Sequence, residues 1–499
     1  MQRPSSSPIA IAAIFFLIVW GAAAFHGYGW FIDELYYLAC ARHPAFGYVD
    51  HPPLSILPLL PVRMLFGEAI WAVRLPAALA GAASILFAAR IAWRMGGAAF
   101  AQIVAAVVMA TAPATLLLAG FHSMNIFELA FGAALGECFA CLLMTGRPRL
   151  WVAFGAITGF ALMNKHTFVV VAGPLAFATL FTDARRHFAT RWPWMGLAVA
   201  ALIVLPNVLW QSTHHWISLE FYRQATLTKN LPTSPLGVLV GQLEIQGLVG
   251  MAAALVAVLW LARQPRLRAF AIAYGLALGS MMLSGLSRPD RIMGFYPALF
   301  AAAGVWVEQW IKRPAARAAF VALAVALAAP LMPLVVPVLP PGLLERYSAR
   351  LGMTPQLERD KARAMPQWFA DRFGWLELAQ EVSRAYQGLD PAERAHTILT
   401  AEDYGAAGAL EHYGPMLGLP RVISAHNSYW LWGPGDFTGV TTVISVDHNR
   451  RGLDAAFDSV EQVGTVHCLY CYKDGTPVWR ARGLKVDIQK LWPGELGLH

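Results

Sequence analysis

The sequence predicts a multi-pass α-helical membrane protein that ends in a small α/β domain. Hydrophobic residues make up 57% of the 499 residues and charged residues only 14%, against roughly 25% charged residues in a soluble domain. Apolar runs of about 20 residues recur, each long enough to cross a hydrocarbon core of about 30 Å. After Pro340, strand-like and helix-like segments alternate, as in an α/β fold. We therefore place a transmembrane domain at 1–340 and an α/β domain at 341–499.

Hydropathy indicates about eleven membrane spans. They are expected near 9–25, 70–93, 97–118, 121–144, 150–164, 166–182, 194–211, 237–261, 269–285, 292–311 and 316–339. A cleaved signal peptide is the alternative for the first run, because Arg3 precedes it and small residues end it. We expect an uncleaved helix instead, since further spans follow it.

The distribution of cations predicts the orientation of the spans. If the N-terminus is cytoplasmic, every predicted inner loop is short and basic. These loops carry Arg90 and Arg94; Arg147 and Arg149; Arg185, Arg186 and Arg191; Arg263, Arg266 and Arg268; and Lys312, Arg313 and Arg317. Such an excess of Lys and Arg is typical of cytoplasmic loops. The odd number of spans then places the C-terminal domain outside, together with most of the unusual polar side chains.

The first outer loop, 26–69, concentrates residues that can carry chemistry. They are Asp33, Glu34, Tyr36, Tyr37, Asp50, His51, Pro52 and Pro53. An aspartate beside a polar cavity can accept a proton from a hydroxyl group while the oxygen attacks an electrophile. The prolines fix the backbone after His51, and Asp50 can hold the tautomer of that imidazole. The alternatives are two acids that solvate a helix end and a proline-rich turn into the next segment.

Cations on the same predicted face suit a phosphate group. Lys165, between two apolar runs, can neutralise a phosphate in a partly desolvated site, or it can extend to the lipid headgroups. Arg288 and Arg291 can form planar forks on phosphate oxygens, or they can anchor an outer loop. Two acids lie within the fourth span. Glu128 is shallow enough to reach an outer cavity. Glu137 is deeper and must be paired or protonated, and we expect a structural pairing.

The C-terminal domain is expected to contain five strands and two longer helical segments. The strands are predicted at His396–Thr400, Arg421–Ser424, Thr441–Val446, Val463–Cys471 and Val478–Arg482, and the helices at 358–388 and Gly405–Tyr413. Cys468 and Cys471 have the spacing of a redox or zinc motif, but no second pair accompanies them. We expect two cysteines in an ordinary strand.

An aromatic and amide-rich segment of this domain, Ser424–Pro434, suits the recognition of a sugar or a lipid headgroup. Its candidate residues are His426, Asn427, Tyr429 and Trp430. A loop packed against the membrane domain is the alternative. The pair His214-His215 with Trp216 could bind a metal or a sugar, although histidine and tryptophan are also common at membrane interfaces.

The first outer loop resembles that of a known group of enzymes. Asp33-Glu34, Tyr36-Tyr37, Gly47-Tyr48 and Asp50-His51-Pro52-Pro53-Leu54 are similar to the first extracytoplasmic loop of the glycosyltransferase family 39 type. That type includes protein O-mannosyltransferases and lies near the lipid A aminoarabinose transferases. Further similarities are found at Gly159–Lys165, Pro206–Trp210, His215-Trp216, Tyr404-Gly405, Ser424–Pro434 and Leu491–Pro493.

The resemblance implies the GT-C fold and a polyprenyl-phosphate sugar donor. It implies that Asp33 is the base on the acceptor hydroxyl with Glu34 beside it, and that His51 organises the loop near the sugar phosphate. Lys165 with Arg288 or Arg291 would hold the leaving phosphate. Loop organisation or acceptor binding falls to Tyr36, Tyr37, Asp50, Pro52, Pro53, His426, Asn427, Tyr429 and Trp430. The lipid A enzymes usually have more spans, and the eukaryotic mannosyltransferases have a different lumenal domain. The resemblance therefore does not imply the identity of the acceptor.

The function expected from the sequence is an inverting glycosyltransferase at the outer face of a bacterial cytoplasmic membrane. Its expected partners are the lipid bilayer, a polyprenyl-phosphate-linked sugar and a lipid, glycan or protein acceptor, and not nucleic acid. No cofactor is required, and a divalent metal is undetermined. A transporter or flippase of a lipid-linked sugar is the main alternative; it predicts charges at the midplane and paired halves. A membrane-anchored binding protein is the third hypothesis.

Overall fold

The computed structural model describes residues 4–228, 230–285, 288–355 and 364–498. The chain divides into two compact units. The first comprises Met1–His26, His51–Thr213 and Asn230–Pro340. The second comprises Gly27–Asp50, His214–Lys229 and Pro341–His499. Two segments that precede Pro341 in the sequence thus belong to the same unit as the C-terminal part of the chain.

Fifteen α-helices are described before Pro340. They are α1 Ser7–Phe25, α2 Ile32–Arg42, α3 Leu59–Phe66, α4 Ile70–Arg94, α5 Ala99–Thr111, α6 Pro113–Leu118, α7 Met124–Thr145, α8 Leu150–Asn164, α9 Val169–Ala178, α10 Arg191–Thr213, α11 Ile217–Thr228, α12 Pro235–Ala262, α13 Arg268–Ser284, α14 Tyr296–Trp310 and α15 Pro314–Ala328. Helices α2 and α11 belong to the second unit and the others to the first.

The apolar helices identify the chain as a membrane protein. Six helical runs of the described residues are long and apolar enough to cross a bilayer: α1, α4, α7, α10, α12 and Pro314–Leu334, which begins with α15. A bent pair, His166–Phe181 and Asp183–Ala189, makes a seventh if it forms one span. Three other predicted spans contain shorter apolar helices, namely α5, α8 and α13. The number of spans and the side on which the N-terminus lies remain predictions.

Glycines allow close packing within the first unit. Helices α8 and α10 approach so closely that a Cβ atom on Gly155 would lie 2.0 Å from the carbonyl oxygen of Gly196. Small residues at helix crossings permit such an approach in membranes. Helix α12 is interrupted at Gly247, whose φ of 68° lies in the left-handed region, which glycine adopts readily. Bulkier residues at Gly155 or Gly247 would therefore disturb the bundle.

Glu137 is paired within the first unit, as the sequence analysis expected. Its Oε1 atom accepts hydrogen bonds from Arg90 Nη2 at 2.8 Å and from Arg94 Nη2 at 3.2 Å. Both arginines lie in the last turns of α4, and Glu137 lies on the neighbouring helix α7. Two cations compensate the cost of placing this carboxylate among apolar side chains. Glu137 therefore has a structural role.

The second unit contains a mixed five-stranded sheet. Its strands are β1 Thr397–Ala401, β2 Val422–Ile423, β3 Thr442–Val446, β4 Phe457–Thr465 and β5 Pro477–Leu484, in the spatial order β2-β1-β3-β5-β4. Strand β1 is parallel to β2 and β3, whereas β5 is antiparallel to β3 and β4. The later helices are α16 Pro341–Leu351, α17 Gln367–Ala370, α18 Trp375–Gln387, α19 Pro391–Arg394, α20 Tyr404–Leu417, α21 Ser428–Trp432, α22 Arg450–Ala456 and α23 Ile488–Leu491.

Two predicted elements of this unit differ in the structure. Strand β4 begins six residues before the predicted Val463, because it is an edge strand with mostly exposed side chains and lacks an apolar signature. The helix predicted at 358–388 is instead α17 and α18, separated at Gly374, whose φ is 87°; its residues 358–363 lie outside the described ranges.

The prediction that Cys468 and Cys471 lie in an ordinary strand is wrong. The two cysteines follow β4 and form a disulfide bond, with their Cα atoms 5.9 Å apart. This bridge packs on the break between α17 and α18: a Cβ atom on Gly374 would lie 2.6 Å from Cys468 Sγ and 2.8 Å from Cys471 Sγ. The glycine at the break is thus required by its positive φ and by its contact with the disulfide.

Candidate functional site

Asp33 and Glu34 lie in the first turn of α2, where negative charge interacts favourably with the helix dipole. Glu34 is fully buried, and its Oε2 atom accepts a hydrogen bond from the backbone N–H of Phe31 at 3.0 Å. Asp33 is partly exposed. Its Oδ1 atom accepts a hydrogen bond from the hydroxyl group of Tyr404 at 3.1 Å. Of the two acids, Asp33 is therefore the one that can reach a ligand, and Glu34 caps the helix.

The position of Tyr404 depends on a buried ion pair. Tyr404 is the first residue of α20, which Asp403 caps by accepting a hydrogen bond from the backbone N–H of Ala406 at 2.8 Å. The ammonium group of Lys473, 2% exposed, lies 2.5 Å from Asp403 Oδ2. Burial by itself raises the pKa of Asp403, but the attraction of Lys473 outweighs it and lowers the pKa well below its usual value. The cap therefore stays ionised and fixes Tyr404 beside Asp33.

Tyr36 links α2 to the segment Ser424–Pro434. Its hydroxyl group donates to Asp50 Oδ1 at 2.7 Å and lies 2.6 Å from Ser428 Oγ. The backbone N–H of Val49 also donates to Ser428 Oγ, at 3.1 Å. Burial, reinforced by the charge of Asp50, raises the pKa of Tyr36 well above its usual value, so the phenol remains a donor. Asp50 and Tyr36 thus organise the loop, and Tyr37 is a buried aromatic neighbour.

The other candidates of this segment also make internal contacts. His426 stacks on the ring of Tyr404, with centroids 5.2 Å apart. Asn427, in a left-handed conformation with φ of 48°, donates its backbone N–H to Gly497 at 2.9 Å. The hydroxyl group of Tyr429 donates to Glu411 Oε2 at 2.7 Å, and Trp430 Nε1 donates to the carbonyl of Trp492 at 2.8 Å. The segment is packed against its own unit by both aromatic and polar atoms.

In the first unit, Lys165 lies at the point where α8 ends. Its backbone is extended, with φ of −156° and ψ of 118°, and its side chain is about nine-tenths buried. The ammonium group donates to Glu128 Oε2 at 2.7 Å, Asn125 Oδ1 at 2.8 Å and Asp290 Oδ2 at 3.4 Å. An ammonium group has three donors, and each has an acceptor here. Glu128 therefore does join the polar cluster, as its depth in the fourth span suggested.

Asp290 joins the lysine to an arginine. Its Oδ1 atom accepts from Arg288 Nε at 3.1 Å, while its Oδ2 atom lies near Lys165. Burial alone raises the pKa of Asp290, but Arg288 and then Lys165 outweigh it, so the pKa is lowered below its usual value. Arg291 contributes to the same lowering from farther along the turn Pro289–Phe295. The structure thus brings together Lys165, Arg288 and Arg291 and adds a carboxylate that the sequence analysis did not assign.

His51 opens the part of the first loop that belongs to the first unit. It is fully buried, and its Nδ1 atom lies 2.9 Å from the carbonyl oxygen of Pro52. Since a carbonyl can only accept, Nδ1 is the donor in this contact. Pro53 starts the short helix Pro53–Ser55, whose last carbonyl accepts a hydrogen bond from His122 Nε2 at 2.8 Å. The two prolines therefore shape a buried turn that orients the histidine ring.

The structure describes no group of three or more His, Cys, Asp or Glu side chains, within 4–228, 230–285, 288–355 and 364–498, that could hold a metal ion. Sequence reasoning missed Tyr404 as the partner of Asp33, although the resemblance at Tyr404-Gly405 pointed to that position. It also missed Asn125 and Asp290 beside Lys165, for which the only signal was their place at the predicted outer ends of spans.

Comparisons with known proteins agree with this description. Residues 50–210 match the family model described as dolichyl-phosphate-mannose-protein mannosyltransferase. The lipid A galacturonosyltransferase RgtD of Rhizobium johnstonii is 28% identical over 185 residues, which cover 37% of this chain and 39% of the relative. The chain thus matches about two fifths of the length of that relative.

Solved structures share the fold over a larger part of the chain. ArnT from Cupriavidus metallidurans in the apo state superimposes with a TM-score of 0.61 at 16% identity, covering 95% of this chain and 97% of ArnT. The Archaeoglobus fulgidus oligosaccharyltransferase in the apo form superimposes with a TM-score of 0.52 at 14% identity, covering 88% of this chain and 69% of that protein. The resemblance predicted from the first outer loop is therefore confirmed: the chain has the GT-C membrane fold, and its residues 50–210 match the dolichyl-phosphate-mannose-protein mannosyltransferase family.

Proposed function

We propose that this protein transfers a sugar from a polyprenyl-phosphate donor to a hydroxyl acceptor, with inversion, at the outer face of the bacterial cytoplasmic membrane. The observation that carries the proposal is the cluster of the buried Lys165 with the half-buried Arg288 and Asp290 in a helical bundle of the GT-C fold. Cations that approach a phosphate stabilise the charge that develops on it as it leaves. A structure of ArnT with undecaprenyl phosphate bound has the same fold, with a TM-score of 0.58 at 14% identity.

In this cluster Asp290 occupies the place that a phosphate oxygen would take. Its contact with Lys165, at 3.4 Å, is the longest of the three that the ammonium group makes. A phosphate oxygen can replace Asp290 as a hydrogen-bond acceptor of Lys165, while Glu128 and Asn125 continue to hold the ammonium group. Arg288 would then turn from Asp290 to the same phosphate, in the fork geometry that guanidinium groups favour. The lysine thus stays positioned before and after the donor binds.

Asp33 is proposed to take the acceptor proton. The acceptor oxygen attacks the anomeric carbon, its proton passes to the Asp33 carboxylate, and the bond from carbon to the phosphate oxygen breaks with its electron pair on the departing polyprenyl phosphate. A phosphate is a good leaving group, so no general acid is required. One displacement without a covalent intermediate inverts the anomeric configuration, as it does in inverting glycoside chemistry.

The outer location is supported by two independent features. The basic residues of the predicted inner loops favour a cytoplasmic N-terminus and hence an outer C-terminal part. The disulfide bond between Cys468 and Cys471 lies in that part. Structural disulfides persist in oxidising compartments such as the bacterial periplasm and are rare in the cytosol. Both features support a periplasmic location for Asp33 and its unit.

The proposal is tested by transfer in a purified system. The protein in liposomes would be incubated with undecaprenyl-phosphate-linked aminoarabinose, galacturonic acid or mannose and with lipid A or a glycan as acceptor. Mass spectrometry would detect a new glycoside, and NMR would give its anomeric configuration. We expect the configuration opposite to that of the donor. A product with retained configuration would contradict the single displacement, and binding of the lipid without transfer to any acceptor would contradict the enzymatic function.

Removing the Tyr404 hydroxyl group should slow transfer without unfolding the protein. In Tyr404→Phe the ring still packs on His426 and on Tyr36, but Asp33 loses a hydrogen bond to its charged form. The bond orients the carboxylate, and a catalytic group displaced by about 1 Å can lose about 10²-fold in rate, so we expect kcat to fall by about tenfold with an unchanged donor KM. Tyr413→Phe, the same change on the same helix, is the control and should leave kcat intact. An unchanged kcat in Tyr404→Phe would mean that Asp33 needs no positioning by this residue.

A further inference from the structure

The second unit contains a cavity that the proposed reaction does not use. Its volume is about 390 Å³, within the range of about 300–1,000 Å³ that is typical of small-molecule sites. The side chains and backbone that matter for its chemistry are His43, Glu411, Gly414, Arg421, Tyr429 and Trp432. All of them belong to one unit, so the cavity is formed within it.

The polar groups of the cavity are held in place before any ligand arrives. Glu411 lies 2.9 Å from an Nη atom of Arg42 and accepts a hydrogen bond from the Tyr429 hydroxyl group at 2.7 Å. A carboxylate can accept about four hydrogen bonds, so each Glu411 oxygen retains capacity for a ligand hydroxyl group. Arg421, also in the lining, donates to the carbonyl of Pro434 at 2.6 Å, which holds its side chain in place. Rigid polar groups of this kind bind a ligand without a large loss of conformational freedom.

The apolar part of the wall is aromatic. Tyr429 and Trp432 meet edge to face with their centroids 4.6 Å apart, and the imidazole of His43 stacks on Trp432 at 4.2 Å. Aromatic side chains combine large apolar area with a polar tip. A sugar ring has the matching surface, with C–H groups on its faces and hydroxyl groups around its edge. Arg42 balances the charge of Glu411, and Arg421 adds a planar cation that can donate to the hydroxyl groups of a sugar.

The place of the cavity in the fold relates it to the proposed base. Asp33 lies in the first turn of α2, and His43 directly follows the last residue of the same helix. His43 is ten positions after Asp33, which corresponds to about 15 Å along a helix that rises 1.5 Å per residue. The His43 end of the cavity is therefore too far from Asp33 to hold the reacting hydroxyl group, yet close enough to hold another part of the same molecule.

We propose that this cavity is an acceptor subsite that binds a sugar residue of a carbohydrate-containing acceptor, away from the hydroxyl group that reacts. That the bound sugar belongs to the acceptor rests on the proposed function, whereas the binding of a sugar to this cavity does not. A site of this kind explains why His43, Tyr429 and Trp432 form a cavity at the far end of the helix that presents Asp33. It also restricts the acceptor to a glycan or glycolipid with more than one sugar.

Binding is tested first, on the full-length protein in nanodiscs. Saturation-transfer difference NMR would be measured with maltose, lactose, chitobiose and mannobiose as probes. We expect saturable binding of at least one disaccharide to the wild type and to Asp33→Asn, and about tenfold weaker binding to Gly414→Phe and Trp432→Ala. At Gly414 a Cβ atom meets only Leu419 Cβ, at 3.5 Å, so the backbone tolerates a side chain that fills the cavity. Met416→Phe, on an exposed position of the same helix, is the matched control.

The outcomes separate this inference from the proposed function. Absence of saturable binding with all four disaccharides, or equal binding to Gly414→Phe and the wild type, overturns the subsite. In the transfer assay, Gly414→Phe should raise the KM for a glycan acceptor by about tenfold and leave the donor KM unchanged. An unchanged acceptor KM also overturns the subsite, even when the enzyme transfers sugar at the rate of the wild type. A third outcome is a protein that lacks transferase activity but binds a disaccharide, with binding abolished by Gly414→Phe. That outcome would support the sugar site and contradict the proposed reaction.

Discussion

Replacing the proposed base with its amide, Asp33→Asn, should lower the rate of sugar transfer by about 10³-fold. General-base catalysis typically contributes about 10²–10⁴-fold, and an amide cannot take the proton of the acceptor hydroxyl group. The variant preserves the size of the side chain and an oxygen that can accept from the Tyr404 hydroxyl group. The fold should therefore be unaffected, and the loss should appear in kcat while the donor KM stays the same.

Two matched variants make this result specific. Asp454→Asn changes an exposed aspartate of α22, where the partner is a surface arginine, and should leave transfer unchanged. Glu34→Gln keeps an oxygen that can accept from the Phe31 N–H and should retain most of the activity, because Glu34 is buried and caps the helix. Transfer by Asp33→Asn at the rate of the wild type would assign the proton to another group. A larger loss in Glu34→Gln than in Asp33→Asn would exchange the roles of the two acids.

The membrane part of the fold could be predicted because the burial of apolar side chains in lipid determines where its helices lie in the sequence. Apolar length alone located α8 at Leu150–Asn164, the bounds that the structure has. The same reasoning predicted a pairing for Glu137, since an isolated charged carboxylate at that depth is costly. Lys165 was recognised because a break between two apolar runs exposes the chain to polar surroundings. Each of these inferences uses residues that are close in the sequence.

What could not be predicted depends on contacts between distant residues or on short elements. Helix α2 has only 11 residues and carries two acids, so hydropathy assigned it to a loop. Asp33 and Tyr404 are 371 positions apart, and no periodicity relates them. The disulfide bond was missed because the cysteine spacing fits several structures and because β4 ends earlier than its residues suggest. The candidate acids and cations were thus identified by type, whereas their partners required the structure.

The second large effect is expected for Lys165→Met, which should both destabilise the protein and weaken donor binding. Glu128 is fully buried and accepts a hydrogen bond from Lys165 at 2.7 Å. Removing one partner of a buried ion pair leaves an uncompensated charge and costs about 3–5 kcal/mol. The double variant Lys165→Met/Glu128→Gln removes that charge as well, so it should recover most of the lost stability. It should not recover donor binding, because the ammonium group that faces the phosphate is still absent.

Comparing the single and double variants therefore separates structure from function. Thermal unfolding in detergent gives the stability, and titration with undecaprenyl phosphate gives the affinity for the lipid carrier. The control Lys312→Met removes an exposed lysine on a predicted inner loop and should change neither quantity. If the double variant bound undecaprenyl phosphate as tightly as the wild type, Lys165 would only neutralise Glu128. If its affinity fell with its stability restored, the lysine would have to act on the phosphate itself, since the carboxylate that it neutralises would no longer be charged.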